Sequence, residues 1–477
     1  MNNQRQFDET VKNLEIKDKG YSVRTIPYKG GLIKLFFIKQ LTDAVSLTEN
    51  VIKPLIQHIN ASQNAPKAKN VLENVIFAED TRLENDYSIA EQYLLDGMTV
   101  ILFSGEREYI TVNIKKAEHR QVAAPELSYT LRSPRDCFVE NLDTNLSLLR
   151  YRVKDPDFRA EEMTVGKRTK TRVVLSYIES IIDPNLVKDI RNRINSINID
   201  AIVDSSELQH LLSTKNSMLP QMGVIERSDL AVETLLEGKM VILVDGSNLP
   251  LSVPKVFTEF LYSCDDRYDN RYFALFIRIL RYIAFFISYT GAALYVAIES
   301  FHNDILPADY VLLLAQMRAK VPYTALVGAL ILEFVTELIR EALLRVPKQI
   351  GPAIGIVGAI IIGQAAMSSG LFTSVLLILI SIEFLASFSV PDFTLMNPFR
   401  VIKLLIILLS GLAGFYGLIL GLTFVLAKLV STDSFGVPYM APFAPFNRYD
   451  FKRAFSFNRA NSKQRQHYVK PKDAKRG

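Results

Sequence analysis

An α/β region of two related subdomains followed by an α-helical polytopic membrane domain is the architecture this chain predicts, and three observations carry it. The first is segregation. Of 477 residues 49% are apolar and 22% charged, yet up to about Asn270 the two kinds alternate on the scale of soluble strands and helices, and beyond it come apolar stretches close to the roughly 20 residues that span a bilayer. The second is an internal repeat in the first half. The third is a basic end: Phe443 to Gly477 holds ten Lys and Arg against Asp450 and Asp473, in a chain that is +5 overall. These mark a flexible N-terminus (1–20), a first α/β subdomain (21–122), a second (123–268), a membrane domain (269–442) and a basic tail (443–477).

The N-terminal stretch MNNQRQFDETVKNLEIKDKG has no apolar h-region, so no cleavable signal peptide is expected and the α/β region should stay in the cytosol. Cys137 and Cys264 have no metal-ligand spacing and read as packing residues of a reducing compartment.

The repeat is Ile89 to Leu102 (IAEQYLLDGMTVIL) and Leu230 to Leu243 (LAVETLLEGKMVIL). Each copy predicts a short amphipathic helix, a glycine suited to the position just past the helix end, a strand, and a turn at Ser104-Gly105 or Asp245-Gly246. A strand-then-helix unit precedes each: Leu32 to Ile38 before Glu49–Ile59, and Thr171 to Ile178 before Pro184–Ile194. Two such units argue for a duplicated domain, each copy a small sheet covered by helices.

No catalytic motif accompanies these lobes. Gly166-Lys167-Arg168-Thr169 resembles the end of a phosphate loop, but a Walker loop needs a glycine at 161, where the chain has Glu161. The five histidines (His58, His119, His210, His302, His467) are scattered, without HExxH, GxSxG or paired cysteines. The chain reads as no enzyme, with no cofactor and no metal, and its lobes as binding or regulatory modules. Its strands lack an RNP-like aromatic motif, so no nucleic-acid partner is expected. The basic tail, following a membrane span, is expected to lie on anionic lipid at the cytoplasmic face.

In the second half Tyr282–Ser300 is the first span, with Arg278 and Arg281 on its cytosolic side. Tyr323–Leu344 begins apolar and then carries Glu333, Glu337, Arg340 and Glu341. At 100° per residue these four share one face of roughly 100°, which must meet water, protein or an aqueous path, or pair within an interfacial helix. Ile350–Ser368, Leu371–Ser389 and Val401–Lys428 follow. Gly351, Gly355, Ala359 and Gly363 form an unbroken small-residue stripe with Gln364 beside it, suited to close helix packing or to a pore lining. If Tyr323–Leu344 crosses, five spans put the basic tail outside. If it is interfacial or re-entrant, four return the tail to the cytosol, the count the tail's charge favours. Arg345, Lys348, Arg400 and Lys403 argue the other way.

Several segments carry a family resemblance. They are Ser133 to Glu140 leading into Thr144 to Arg152, Leu219-Pro220-Gln221, Glu226 to Asp229, Leu235 to Gly238, Arg278 to Ala284, Ala293 to Ala297, Glu337 to Ala342, Arg345-Val346-Pro347 with Ile350-Gly351, Ile356 to Ala359 with Ile362 to Ala366, and Ser434 to Pro442. Together they span about residues 130 to 442 and resemble the A-subunit family of bacterial spore germinant receptors, the GerA family. The chain departs from the family pattern at Ser133, commonly Gly, at Asp136, commonly Glu, and at Ser228, commonly Pro. The resemblance implies a multi-pass subunit of a receptor in the spore inner membrane, its soluble domain and tail facing the spore core. It also implies an oligomeric, pentameric ion channel that opens on sensing a nutrient and releases monovalent cations. The partners it implies are a transporter-like B subunit, the expected germinant binder, and a C-subunit lipoprotein. On that basis Gly351, Gly355, Ala359, Gly363 and Gln364 are expected at the pore or subunit seam, and Glu333, Glu337, Arg340 and Glu341 on a charged gating face. The alternatives are a SpoVAF-like accessory channel, which shares these motifs, and a non-conducting membrane scaffold that clusters germination proteins.

Overall fold

The computed structural model describes residues 18, 20–61, 65–78, 80–115, 136–214, 217–263, 266, 270–346, 363–455 and 464–475. They form two compact units. The first comprises Met1–Thr214, Met222–Pro254 and Asn461–Gly477, the second Lys215–Gln221 and Lys255–Ala460.

In the first unit the repeat becomes two lobes with one topology. The first lobe runs β1 (Tyr21–Tyr28), β2 (Gly31–Ile38), α1 (Lys53–Ala61), α2 (Ala68–Asn74), β3 (Thr81–Glu84), α3 (Ala90–Leu95), β4 (Thr99–Phe103) and β5 (Tyr109–Val112). The second runs α4 (Leu142–Arg152), β6 (Phe158–Val165), β7 (Thr171–Ile178), α5 (Pro184–Ser196), α6 (Ser205–Leu212), β8 (Gly223–Val224), α7 (Ser228–Leu236), β9 (Met240–Val244) and β10 (Leu251–Val253). The strand orders are β1-β2-β4-β5-β3 and β6-β7-β9-β10-β8, and every neighbouring pair is antiparallel.

The central strands β4 and β9 are buried along their whole length. Side chains alternate across a strand, so β4 feeds two cores. Ile101 and Phe103 pack with Leu55 and Val71 on one face, while Val100 and Leu102 pack with Ala90 and Leu94 on the other. The helix ends before β4 and β9 are the same device. Gly97 (φ 83°) and Gly238 (φ 85°) adopt left-handed backbone. The next residue's N–H reaches back to the last helical turn in each, Met98 to Tyr93 O at 2.9 Å and Lys239 to Thr234 O at 3.2 Å. A side chain there would be strained, which is why the glycine recurs with the repeat.

The loop Gly166–Lys170 is the β6–β7 hairpin turn. Its Lys167 and Arg168 N–H groups donate to Ile199 O (3.0 Å) and Asp200 O (2.8 Å), so they are already committed to backbone.

A buried ion pair joins the lobes. Arg150 on α4, 3% exposed, forms a salt bridge with the fully buried Asp18, and its guanidinium lies over Tyr21 of β1 (5.5 Å) and Phe158 of β6 (5.2 Å). Ser147, one turn earlier, donates to Gln40 O at 2.5 Å. Two of the three positions where the chain departs from the family pattern touch each other, while Ser133 lies outside the described residues. Ser228 Oγ donates to Asp136 Oδ2 at 2.5 Å, and Ser228 N donates to Asp136 O at 3.3 Å, a bond proline cannot make.

The basic end is folded over residues 464–475. Arg465 Nε donates to Leu236 O (2.8 Å) and Lys472 N to Ile181 O (2.8 Å). A cation at the C-terminus of α7 meets its unpaired carbonyls and the negative end of the helix dipole. That attraction draws part of the expected lipid-lying tail onto the second lobe.

The second unit is helical: α8 (Phe257–Phe260), α9 (Arg271–Phe301), α10 (Ala308–Arg318), α11 (Ala325–Arg345), helical residues 363–368, α12 (Ser374–Ser387) and α13 (Phe393–Ser431). Among the described residues Tyr272–Phe301 and Phe393–Ser431 are the two runs long and apolar enough to cross a membrane. The second is not one rod, as the sequence led us to expect over Val401–Lys428. At Gly414 (φ 59°, ψ −138°) the helix breaks and the chain doubles back. The site a Cβ would take on Gly417 is filled by the Leu409 carbonyl, and on Gly421 it would lie 3.2 Å from Ile406 Cγ1. α13 is therefore an antiparallel hairpin whose second arm presents glycine to the first.

The hairpin runs along α9. Its tip at Gly414 abuts His302, whose ring lies 4.7 Å from Phe415. At its base Lys255 Nζ binds Asp392 at 2.6 Å, and Tyr439, just beyond the hairpin, accepts from Phe257 N at 2.9 Å. So the two ends of the helical unit meet at one end of the bundle. The resemblance motifs Leu219-Pro220-Gln221 and Ser434 to Pro442 meet there too: Ser434 Oγ donates to Gln221 O (2.8 Å) and Gln221 Nε2 to Asp433 O (2.6 Å).

Two measurements follow. Arg150→Met leaves Asp18 buried without a counter-charge, and we expect a loss of about 3–5 kcal/mol in denaturant unfolding of the full chain. Adding Asp18→Leu should return much of it, whereas independent sites would add. Asp204, the N-cap of α6, is opposed by burial but held down at about 2 by hydrogen bonds from Ser247 and Ser206. Its folded pKa lies below the unfolded value of about 3.9, so its stabilisation is present above that value and disappears as pH falls towards about 2. Asp204→Ala should lower Tm at neutral pH and flatten the fall of Tm between about pH 4 and pH 2.

Candidate functional site

The helical unit carries its charges inside. α11 starts at the N-cap Thr324, whose hydroxyl accepts from Val327 N at 3.4 Å. It runs antiparallel to α9, from Leu326 beside Gly411 near the hairpin tip to Glu337 beside Arg400 near the base. It packs within the helical unit against α9, α12 and α13. The face predicted from 100° spacing is real in part. Glu333 is 1% exposed and its Oε2 lies 2.5 Å from Lys403 Nζ. Glu337 Oε1 accepts from Arg400 Nε at 3.0 Å and lies 3.3 Å from Arg340 Nη1. Arg340 also donates to Ser387 Oγ (3.1 Å), its guanidinium over Phe384 (5.1 Å) and Phe388 (5.6 Å). Glu341 stands apart, exposed and, among the described residues, paired with Arg345 one turn on (2.6 Å), a contact worth a few tenths of a kcal/mol.

Sequence reasoning missed the partners on the other helices. Glu383 on α12 is 1% exposed; its Oε1 accepts from Ala292 N, and its Oε2 lies 3.5 Å from Lys403 Nζ. Gly291 allows this approach, because a Cβ there would meet Glu383 Oε1 at 2.5 Å. A lone Glu in SVLLILISIEFLAS and a lone Lys in VIKLLIILL were the available signal. Around this core the outer surface is apolar: Ile378, Ile382, Leu412, Ile419 and Phe424 are each more than half exposed.

Of the predicted pore or seam residues, Gly351, Gly355 and Ala359 lie outside the described residues, as does Lys348. Gly363 and Gln364 open the helical stretch 363–368. Gln364 is exposed, and a Cβ on Gly363 would meet nothing within 4 Å.

In the first unit a cavity of about 510 Å³ between the lobes is lined by Lys39, Thr42, Asp43, Asp143, Glu162 and Arg172, among others. Arg172 pairs with Asp143 (3.2 Å) and Glu162 (2.8 Å), and these hydrogen bonds hold its pKa above the usual range. Cys137 is buried, which pushes its thiol up to about 12 and leaves it an unreactive packing residue; Cys264 lies outside the described residues. No group of three metal-ligating side chains occurs among the described residues.

Among solved structures, the N-terminal domain of the A subunit of the Bacillus megaterium spore germinant receptor GerK3 aligns with 53% of this chain and 94% of its own, at 20% identity and a TM-score of 0.39. Among relatives, Spore germination protein KA of Bacillus subtilis is 35% identical over 423 residues, covering 88% of this chain and 78% of that protein. Spore germination protein B1 of the same organism is 35% identical over 410 residues, with 86% and 84% covered. Its uncharacterized membrane protein YfkQ is 30% identical over 452 residues, with 94% and 88% covered. The profile of the Bacillus/Clostridium GerA spore germination protein matches residues 5–468. The chain therefore belongs to the GerA family of spore germination proteins.

Proposed function

We propose that this chain is the A subunit of a spore nutrient germinant receptor, that its helical unit spans the spore inner membrane, and that copies of it, five in the expectation from the family, surround a gated path for monovalent cations. One observation carries the membrane part. The helical unit is inverted relative to a soluble protein, with Glu333, Glu383 and Lys403 buried and large aliphatic and aromatic side chains on its surface. Exposed apolar area on this scale is stable only against lipid or another chain, and intramembrane charges face the bundle interior and pair.

The path of the chain supports a definite topology. In this reading both ends of the helical unit lie on one side of the bilayer, which the bonds of Lys255 and Phe257 to Asp392, Ser434 and Tyr439 support. The hairpin reconciles this with a crossing α11, since it adds a return pass to the five spans counted from sequence. The tail then lies on the cytoplasmic side, as its charge requires, and residues 464–475 reach the second lobe without crossing.

The seam assignment rests on Gly363 and Gln364, which are open in the single chain, and extends to Gly351, Gly355 and Ala359 by their shared spacing. The charged gating face is Glu333, Glu337 and Arg340, whose partners sit on α12 and α13, so that sliding of α11 must exchange ion pairs. Glu341 contributes at its exposed end. A B subunit and a C-subunit lipoprotein complete the receptor in this reading.

Gly363→Leu is the sharpest test of conduction, because the chain itself has room for it. We expect the subunit to assemble with unchanged thermal stability while nutrient-triggered cation release from spores, and conductance in planar bilayers, are abolished. Unchanged release would remove Gly363 from the pore, and purified receptor that passes no current with its partners present would leave the scaffold reading. Topology is read separately. Cysteines placed at Asp304, after α9, and at Lys475, in the tail, should label with an impermeant maleimide from opposite sides of the membrane. Labelling from the same side would refute the even number of passes.

A further inference from the structure

We infer that Glu333 and Glu383 together hold a single proton in the middle of the bundle, making this pair a proton-binding site. The argument is first one of hydrogen-bond accounting. Both carboxyl groups lie against the one ammonium of Lys403, Glu333 at 2.5 Å and Glu383 at 3.5 Å, and together they offer four oxygens. Glu333 Oε2 takes Lys403 Nζ at 2.5 Å, and Glu383 Oε1 takes the Ala292 N–H. Glu333 Oε1 and Glu383 Oε2 are both buried and accept no hydrogen bond. Two buried acceptors without a donor are each unfavourable. One proton held between the two carboxyl groups supplies the missing donor.

Charge leads to the same place. Every described charged group that meets the pair can be named by element. α9 offers the backbone of Gly291 and Ala292, α11 carries Glu337 and Arg340 on the turns after Glu333, and α13 carries Lys403 and Arg400. Among the described residues Lys403 is the one cation at contact distance, so two carboxylates beside it leave one excess negative charge where both acids are 1% exposed. Arg340 and Arg400 are committed to Glu337, with side chains 14% and 28% exposed, and water screens that end better than the interior. A buried carboxyl with no cation of its own neutralises by taking up a proton. Like charges sharing a site cannot both ionise. The consequence for the charged face, which rests on the function proposed above, is that admitting water between α11 and α12 would release this proton, so the hydrated state is favoured as pH rises.

Infrared spectroscopy of the full-length protein in lipid nanodiscs tests the site independently of conduction. At about pH 7, well above the ordinary carboxylate range, we expect the C=O stretch of a protonated carboxylic acid, shifted on exchange into D2O. Glu383→Gln and Glu333→Gln should each abolish that band completely, because either leaves one carboxylate for one lysine, whereas Glu341→Gln should retain it. Absence of the band in the unmodified protein overturns the proposal without any variant. A band that survives either glutamine substitution overturns it as well, since the proton then sits elsewhere. A receptor that shows the band but carries no current keeps the proton site and loses the channel, so the two ideas fail separately.

Discussion

The cost of an unmatched charge away from water is the constraint around which the helical unit is organised. Lys403 sits within 3.5 Å of acids from two different helices, and that one ammonium fixes α11 and α12 against the hairpin's first arm. Moving α11 by a single turn would strand Glu333 and set Glu337, now paired with Arg400, against Lys403. The apolar contacts of the bundle are permissive about such a shift; the ion pairs are not. Gly291 belongs to the same constraint, since its missing side chain lets Glu383 lie against the backbone of α9.

The α/β unit depends on a smaller version of the same arrangement. Two lobes of one topology could associate in many ways through their apolar edges, but Arg150 meets its buried counter-charge only where Asp18, Tyr21 and Phe158 converge. The contact between Asp136 and Ser228 is local by comparison, and it shows how two departures from a family pattern can be one change: a shorter acid and a residue that keeps its N–H, each serving the other.

The lobes were legible where the chain states its own geometry. The helix, glycine and strand of Ile89 to Leu102 and of Leu230 to Leu243 are written twice, and capping chemistry makes each boundary visible. The outer strands β1 and β6 were not legible. YSVRTIPY and FRAEEMTV mix charge with apolar residues and become strands through hairpin pairing with β2 and β7. In the helical unit, periodicity placed Glu333, Glu337 and Arg340 on one face because that face is a property of one helix. Their partners Arg400, Lys403 and Glu383 come from other helices, and no local pattern specifies a contact across helices. The reversal at Gly414 escaped for another reason: an apolar run has the same composition whether it continues or folds back. The spacing of Gly414, Gly417 and Gly421 on one side was the trace it left.

That reversal also bears on how the chain is made. A last hydrophobic segment that crossed once would oblige the cell to thread the ten lysines and arginines of the C-terminal region through the lipid after it, or to hold them back against the direction of synthesis. A segment that turns at a glycine enters as a closed pair of arms, with only the short apex around Gly414 and Phe415 travelling to the far face. In the topology proposed above, biogenesis of the C-terminal end needs no translocation of that charge.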